Sequence, residues 1–124
     1  MTENGSTKQY DLEERTLQFT RDVLEFTKNL PKNIANNEIM KQLIRSAGSV
    51  GANYIEANES LGKKDFVMRI RISRKEAKES RYWLRLVEVN NEDAEVVRQR
   101  LIQETIELTK IFGAIIEKTK LTIS

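Results

Sequence analysis

The chain of 124 residues contains no cysteine and no histidine. The first absence excludes disulfides and suits a reducing compartment. Together the two exclude Cys/His zinc sites, Ser–His and Cys–His nucleophile pairs, and the Glu-x-x-His ligands of di-iron bundles. One proline and five glycines leave little material for tight turns, which disfavours an all-β fold. No apolar run is long enough to cross a membrane, and the opening residues MTENGSTKQ lack the apolar core of a signal peptide. A soluble, cytoplasmic protein with no membrane partner is therefore expected. A phosphate-cradling loop is missing too, since the small-residue run Ala47 to Ala52 has neither a lysine nor a preceding strand. These exclusions predict a protein that is not an enzyme and needs no cofactor.

What is present is charge and helical periodicity. Hydrophobic residues make up 39% and charged residues 32% of the chain, the balance of a helical bundle with long solvated faces. Leu12, Thr16, Phe19, Val23, Phe26 and Leu30 follow a heptad seam, which predicts a first helix over about 11–29, stopped by Pro31. Residues 1–9 are polar and aperiodic, so they are expected to be disordered. A second helix is predicted over about 37–59, capped by Asn36 or Asn37. Gly62 then offers a break with positive φ. A third helix over about 64–89 places Phe66, Ile70, Ser73, Ala77, Ser80, Leu84 and Val87 on one stripe. A fourth over about 92–118 has Ala94, Val97, Leu101, Leu108, Ile111 and Ile115 on its seam, with Ile102, Ile106, Phe112 and Ile116 beside it. Four helices with short connectors pack most simply as an all-α, antiparallel up-down-up-down four-helix bundle over residues 10–120.

The second helix is the centre of this reading. Ile39, Leu43, Val50 and Ala57 form one apolar stripe, and Met40, Ile44, Gly51 and Ile55 the next. Between them lie Ala47, Gly48, Gly51 and Ala52. Each helical glycine costs roughly 1 kcal/mol relative to alanine, a cost that close approach of a neighbouring backbone would offset. The second apolar stripe, with the surplus on the fourth helix, predicts a homo-oligomer, because exposed patches of that size are uncommon on monomers.

The segments LIRSAGSVGANYIEANES and KKDFVMRIRISRKEAKESRYWLRLV resemble the four-helix-bundle proteins encoded in intervening sequences of large-subunit ribosomal RNA genes. The resemblance spans about 10–118. Arg45-Ser46-Ala47, Ala52-Asn53, Ile55-Glu56-Ala57, Phe66 and Glu79 carry most of it. It departs at Gly51, where many relatives have proline. The resemblance implies a left-handed bundle, a ring-shaped homopentamer and no catalytic activity. The chain is also similar to the accessory protein of diversity-generating retroelements, a basic pentameric bundle that binds nucleic acid and a reverse transcriptase.

Charge supplies the functional signal. Residues 63–85 carry nine bases and three acids, whereas 1–29 and 86–124 are each net acidic. Arg71, Arg74, Lys75, Lys78, Arg81 and Arg85 recur at helical spacing as one stripe, extended by Lys63, Lys64 and Arg69. Such a stripe can follow phosphates, and Tyr82 and Trp83 beside it can stack on bases. RNA or DNA is thus one candidate partner. The alternative is a structural or adaptor bundle whose basic helix serves subunit or protein-partner contacts; Glu76 and Glu79 interrupt the stripe, and helices 1 and 4 offer acids. Glu56 and Glu79 could form a carboxylate metal site, but pairing with Arg45, Arg74 or Arg81 inside the bundle is preferred, since buried charges need partners. Asn53 and Glu56 read better as polar contacts that set helix register than as a ligand site.

Overall fold

The computed structural model describes residues 8–123, with side chains from 12 to 120. It contains α1 (Lys8–Thr27), α2 (Ile34–Asn58), α3 (Lys63–Leu86) and α4 (Glu92–Ile123), and no strand among the described residues. Each helix packs on its neighbour in the chain and α1 closes on α4, while the diagonal pairs show no close backbone approach and meet through side chains, as where Tyr54 of α2 reaches Phe112 of α4 with ring centroids 6.1 Å apart. That pattern is an antiparallel up-down-up-down bundle. The contact between α2 and α3 is the most extensive and that between α1 and α4 the least.

The helix ends depart from the sequence reading in instructive ways. α1 begins at Lys8, inside the segment expected to be irregular; residues 1–7 of that segment lie outside the described residues. Its C-terminal carbonyls are closed by Lys32, whose Nζ donates to the oxygens of Thr27, Lys28 and Leu30 at 3.3, 3.2 and 2.8 Å, a cation at the negative helix end. The cap of α2 is Asn33, whose Oδ1 accepts from the Asn36 backbone N–H at 2.9 Å. Asn36 is already in the first turn and faces inward, so it does other work. It is buried, donates to the carbonyls of Pro31 and Glu88, and accepts from the Glu88 N–H at 2.7 Å. It thereby ties the α1–α2 connection to the end of α3. Gly62 has an extended backbone at φ −148°, not the positive φ expected, and it caps α3. α3 stops at Leu86 because Arg98 Nη1 takes the carbonyls of Val87 and Leu84 at 2.6 and 3.4 Å. Glu95 holds Arg98 in place, and its carboxyl is kept below the usual range by hydrogen bonds from Arg98 and then Gln99. Asn91 caps α4 through the Ala94 N–H.

The seam residues Leu12, Thr16, Phe19, Val23 and Phe26 of α1 are buried, as is Leu30 just beyond it; so are Ile70, Ser73, Ala77, Ser80 and Leu84 of α3 and Val87 at its end, while Phe66 of the expected stripe is only partly so. α4 is rotated relative to the expected seam. Leu101, Leu108, Phe112 and Ile116 are buried, while Ile111 and Ile115 are only partly so. The missing link is Thr105, a polar side chain within the core row, satisfied by donating to the Ile102 carbonyl at 2.6 Å. Thus Phe112 and Ile116 are core residues, and so is Met40 of α2. Much of the apolar surplus expected for subunit contacts is consumed inside the bundle.

The small residues of α2 act by admitting hydroxyls. Thr20 of α1 donates to the Ala47 carbonyl at 3.0 Å. Ser73 of α3 donates to the Val50 carbonyl at 2.9 Å, and Ser80 pairs with Ser46 at 2.9 Å. Gly51 makes room for Thr16: a Cβ there would stand 3.0 Å from Thr16 Oγ1 and 3.2 Å from its Cβ. Gly48 and Ala52 do not share this role. A Cβ on Gly48 would meet nothing within 4 Å, and Ala52 is exposed. At about 100° per residue, positions 48 and 52 rotate onto the outer side of α2 while 47, 50 and 51 face neighbours.

Candidate nucleic-acid interface

The α3 stripe survives folding as a free basic face. Arg71, Lys75, Lys78 and Arg85 are exposed, and Arg74 and Arg81 are half-buried. The six span fifteen residues of sequence, hence about 21 Å of helix from first to last. None of the six forms an ion pair among the described residues. Arg71, Arg74, Lys75 and Lys78, together with Glu79 and Tyr82, line an open groove of about 400 Å³. Arg74 lies over α4 at Gly113, where a Cβ would come within 3.7 Å of its Nη1. The one acid of the groove is already engaged: Glu79 accepts from Arg45 Nη2 at 2.9 Å. Tyr82 is 58% exposed and stands edge-to-face with Trp83, centroids 4.9 Å apart at 78°.

Five residues assigned to the stripe do not line the groove: Arg81 and Arg85, which continue the same face of α3, and Arg69, Lys63 and Lys64. Arg69 turns to α2, donating to Asn53 Oδ1 at 3.0 Å. Asn53 is held in turn by the carbonyl and hydroxyl of Ser49 at 3.0 and 2.9 Å. Asn53 thus makes a polar contact between α2 and α3, with Arg69 as its partner. Lys63 and Lys64 are exposed in the first turn of α3 and do not line the groove.

The carboxylates also redistribute. Glu56 is exposed and meets no arginine among the described residues. Glu79 pairs with Arg45, but at a side chain 39% exposed rather than inside the bundle. The buried carboxylate is Glu76, which sequence reading treats as an interruption of the stripe. It lies 3.8 Å from Arg45 Nη1, and among the described residues its Oε1 has no hydrogen-bond partner, nor has the buried Trp83 Nε1. Glu76 sits midway between Ser73 and Ser80 on the helix, and that spacing was the available sign that it faces α2. Across the molecule, Arg15 of α1 clasps Glu104 of α4 through two bonds at 2.7 and 2.9 Å, which raises the guanidinium above its ordinary pKa.

A second groove, of about 460 Å³, opens between α1 and α4. Its floor is Phe26, Leu30, Ala94 and Val97, and its rim carries Asp22, Glu25 and Asp93 against Arg100. That rim repels phosphate, so the two grooves differ in sign. Among the described residues no helix is long and apolar enough to cross a membrane.

Fold and surface together define an all-helical four-helix bundle, one helix of which carries a stripe of six cations, Arg71 to Arg85, without ion pairs among the described residues. The chain belongs to the 23S rRNA-intervening sequence protein family, whose pattern residues 8–114 match. Among solved structures it is similar to a protein of unknown function from the S23 ribosomal protein family of Bacteroides thetaiotaomicron. The two share 28% identity and a TM-score of 0.71, over 84% of this chain and 96% of that one. No curated protein matches the chain.

Proposed function

We propose that the protein is a non-enzymatic, cytoplasmic, oligomeric bundle that associates with nucleic acid through the basic face of α3. The observation that carries this reading is a set of six cations on one face of α3 without counter-ions among the described residues, four of which line an open groove. They form six like-charged pairs at i,i+3 or i,i+4 spacing: 71/74, 71/75, 74/78, 75/78, 78/81 and 81/85. Each such pair destabilises a helix by about 0.2–0.5 kcal/mol, so the face carries a cost of about 1–3 kcal/mol that a polyanion would remove. Copies of the chain would cover apolar residues still exposed on α1 and α2, among them Leu17, Leu24, Ile44 and Ile55. A ring of five, the assembly expected from family resemblance, would present five basic faces and multiply a modest affinity.

The test is the variant Arg71→Gln/Lys75→Gln/Lys78→Gln. Binding of RNA and DNA is measured by fluorescence anisotropy across a salt series, with molar mass from light scattering. The variant should keep the oligomer and lose affinity. Its slope of log affinity against log salt should shrink by about two to three units, near one per phosphate contact removed. A wild-type protein that binds neither RNA nor DNA at low salt ends the reading. A variant that dissociates instead assigns the face to subunit contacts, the adaptor alternative.

A further inference from the structure

Arginines and lysines attract any polyanion; the aromatic side chain in the same groove asks for something more specific. Tyr82 is exposed although it is a large aromatic, and its hydroxyl has no hydrogen-bond partner among the described residues. It is nonetheless not loose. Trp83, half-buried against the core, holds it in a T-shaped pair. Whichever ring supplies the edge, at least one face of Tyr82 stays uncovered. A supported ring with a free face is a stacking platform, and ordering it costs little because the neighbouring indole already restricts it.

Resting on the nucleic-acid reading above, we infer that the α3 groove takes single-stranded nucleic acid, with phosphates on Arg71, Arg74, Lys75 and Lys78 and one base stacked on Tyr82. From Arg71 to Tyr82 the helix advances about 16 Å, so phosphate and base contacts lie along one line, as in proteins that track single strands. The groove, at about 400 Å³, is near the small end of ligand sites, roughly 300–1,000 Å³. It accommodates one unstacked nucleotide, whereas a duplex keeps its bases paired and offers Tyr82 only sugar and phosphate. Glu79 does not spoil the site, because Arg45 neutralises it from α2. An acidic peptide or an anionic lipid surface would use the cations and leave the ring idle.

The experiment compares single strands with blunt duplexes of equal length at one salt concentration. The probes are labelled RNA and DNA oligonucleotides, some with 2-aminopurine as the reporter base. Single strands should bind about tenfold tighter, and the 2-aminopurine signal should change on binding. Tyr82→Ala should lose about tenfold on single strands and nothing on duplexes, while Tyr82→Phe retains both affinity and signal. Equal binding of the two forms, with Tyr82→Ala altering neither, overturns this inference even when the glutamine variant still abolishes binding. No nucleic-acid binding by the wild type would instead bring down the functional reading itself, and this inference with it. Melting temperature and molar mass of Tyr82→Ala, expected unchanged, separate lost stacking from lost structure.

Discussion

Gly48 and Gly51 lie within one turn of α2, yet alanine at the two positions should act in opposite directions. Both replacements gain about 1 kcal/mol of helix propensity. At position 48 nothing stands within 4 Å of the new methyl, so that gain should appear in full, as a rise in melting temperature of about 4 °C. At position 51 the methyl would lie 3.0 Å from Thr16 Oγ1 and 3.2 Å from Thr16 Cβ. Thr16 cannot simply turn away: it is buried, and its hydroxyl donates to the Glu13 carbonyl at 3.0 Å. The backbone of α1 must then retreat, which stretches the bond from Thr20 to the Ala47 carbonyl one turn along. Overpacking of this kind costs about 1–3 kcal/mol, so Gly51→Ala should fall about 1–3 kcal/mol below Gly48→Ala. Thermal and urea unfolding followed by circular dichroism, at matched concentration and with molar mass recorded, measure the difference. Equal shifts for the two variants would refute the claim that α1 meets α2 at Gly51 alone of the pair.

Two further perturbations test the polar framework. Asn36→Ala removes two hydrogen bonds to Glu88 just beyond α3 and a third to Pro31 in the α1–α2 connection, and leaves the Glu88 N–H without its acceptor. A loss of about 2–4 kcal/mol is expected in denaturant unfolding, and a loss below about 0.5 kcal/mol would show that the latch contributes nothing. Arg45→Ala strands the buried Glu76 without its counter-charge; with Arg45 half in water and the pair 3.8 Å apart, the cost should be only about 1–2 kcal/mol. Adding Glu76→Gln should recover most of it, and a double variant no more stable than Arg45→Ala would contradict the pairing.

Periodicity alone determined much of this protein. The seam of α1 and the stripe of α3 could be read residue by residue because each is a continuous 3.6-residue row on its own helix. The basic face was legible for the same reason: charges at three- and four-residue spacing share a side whatever the neighbours do. On α4 the polar member of the row, Thr105, fell outside the apolar pattern, which favoured Ile111 and Ile115 over the buried Phe112 and Ile116. Only packing revealed that a hydroxyl bonded to its own helix can sit in the core. Gly48 and Gly51 are indistinguishable by propensity, and it took the position of α1 to separate them. Glu56, Glu76 and Glu79 are likewise equivalent acids in one dimension. Rotation of α3 against α2 leaves Glu56 in water, buries Glu76, and hands Glu79 to Arg45, and with it the groove its net positive charge. A helix's own geometry is written in its sequence spacing. Which of its flanks becomes interior, and which charges are thereby cancelled, is decided between helices.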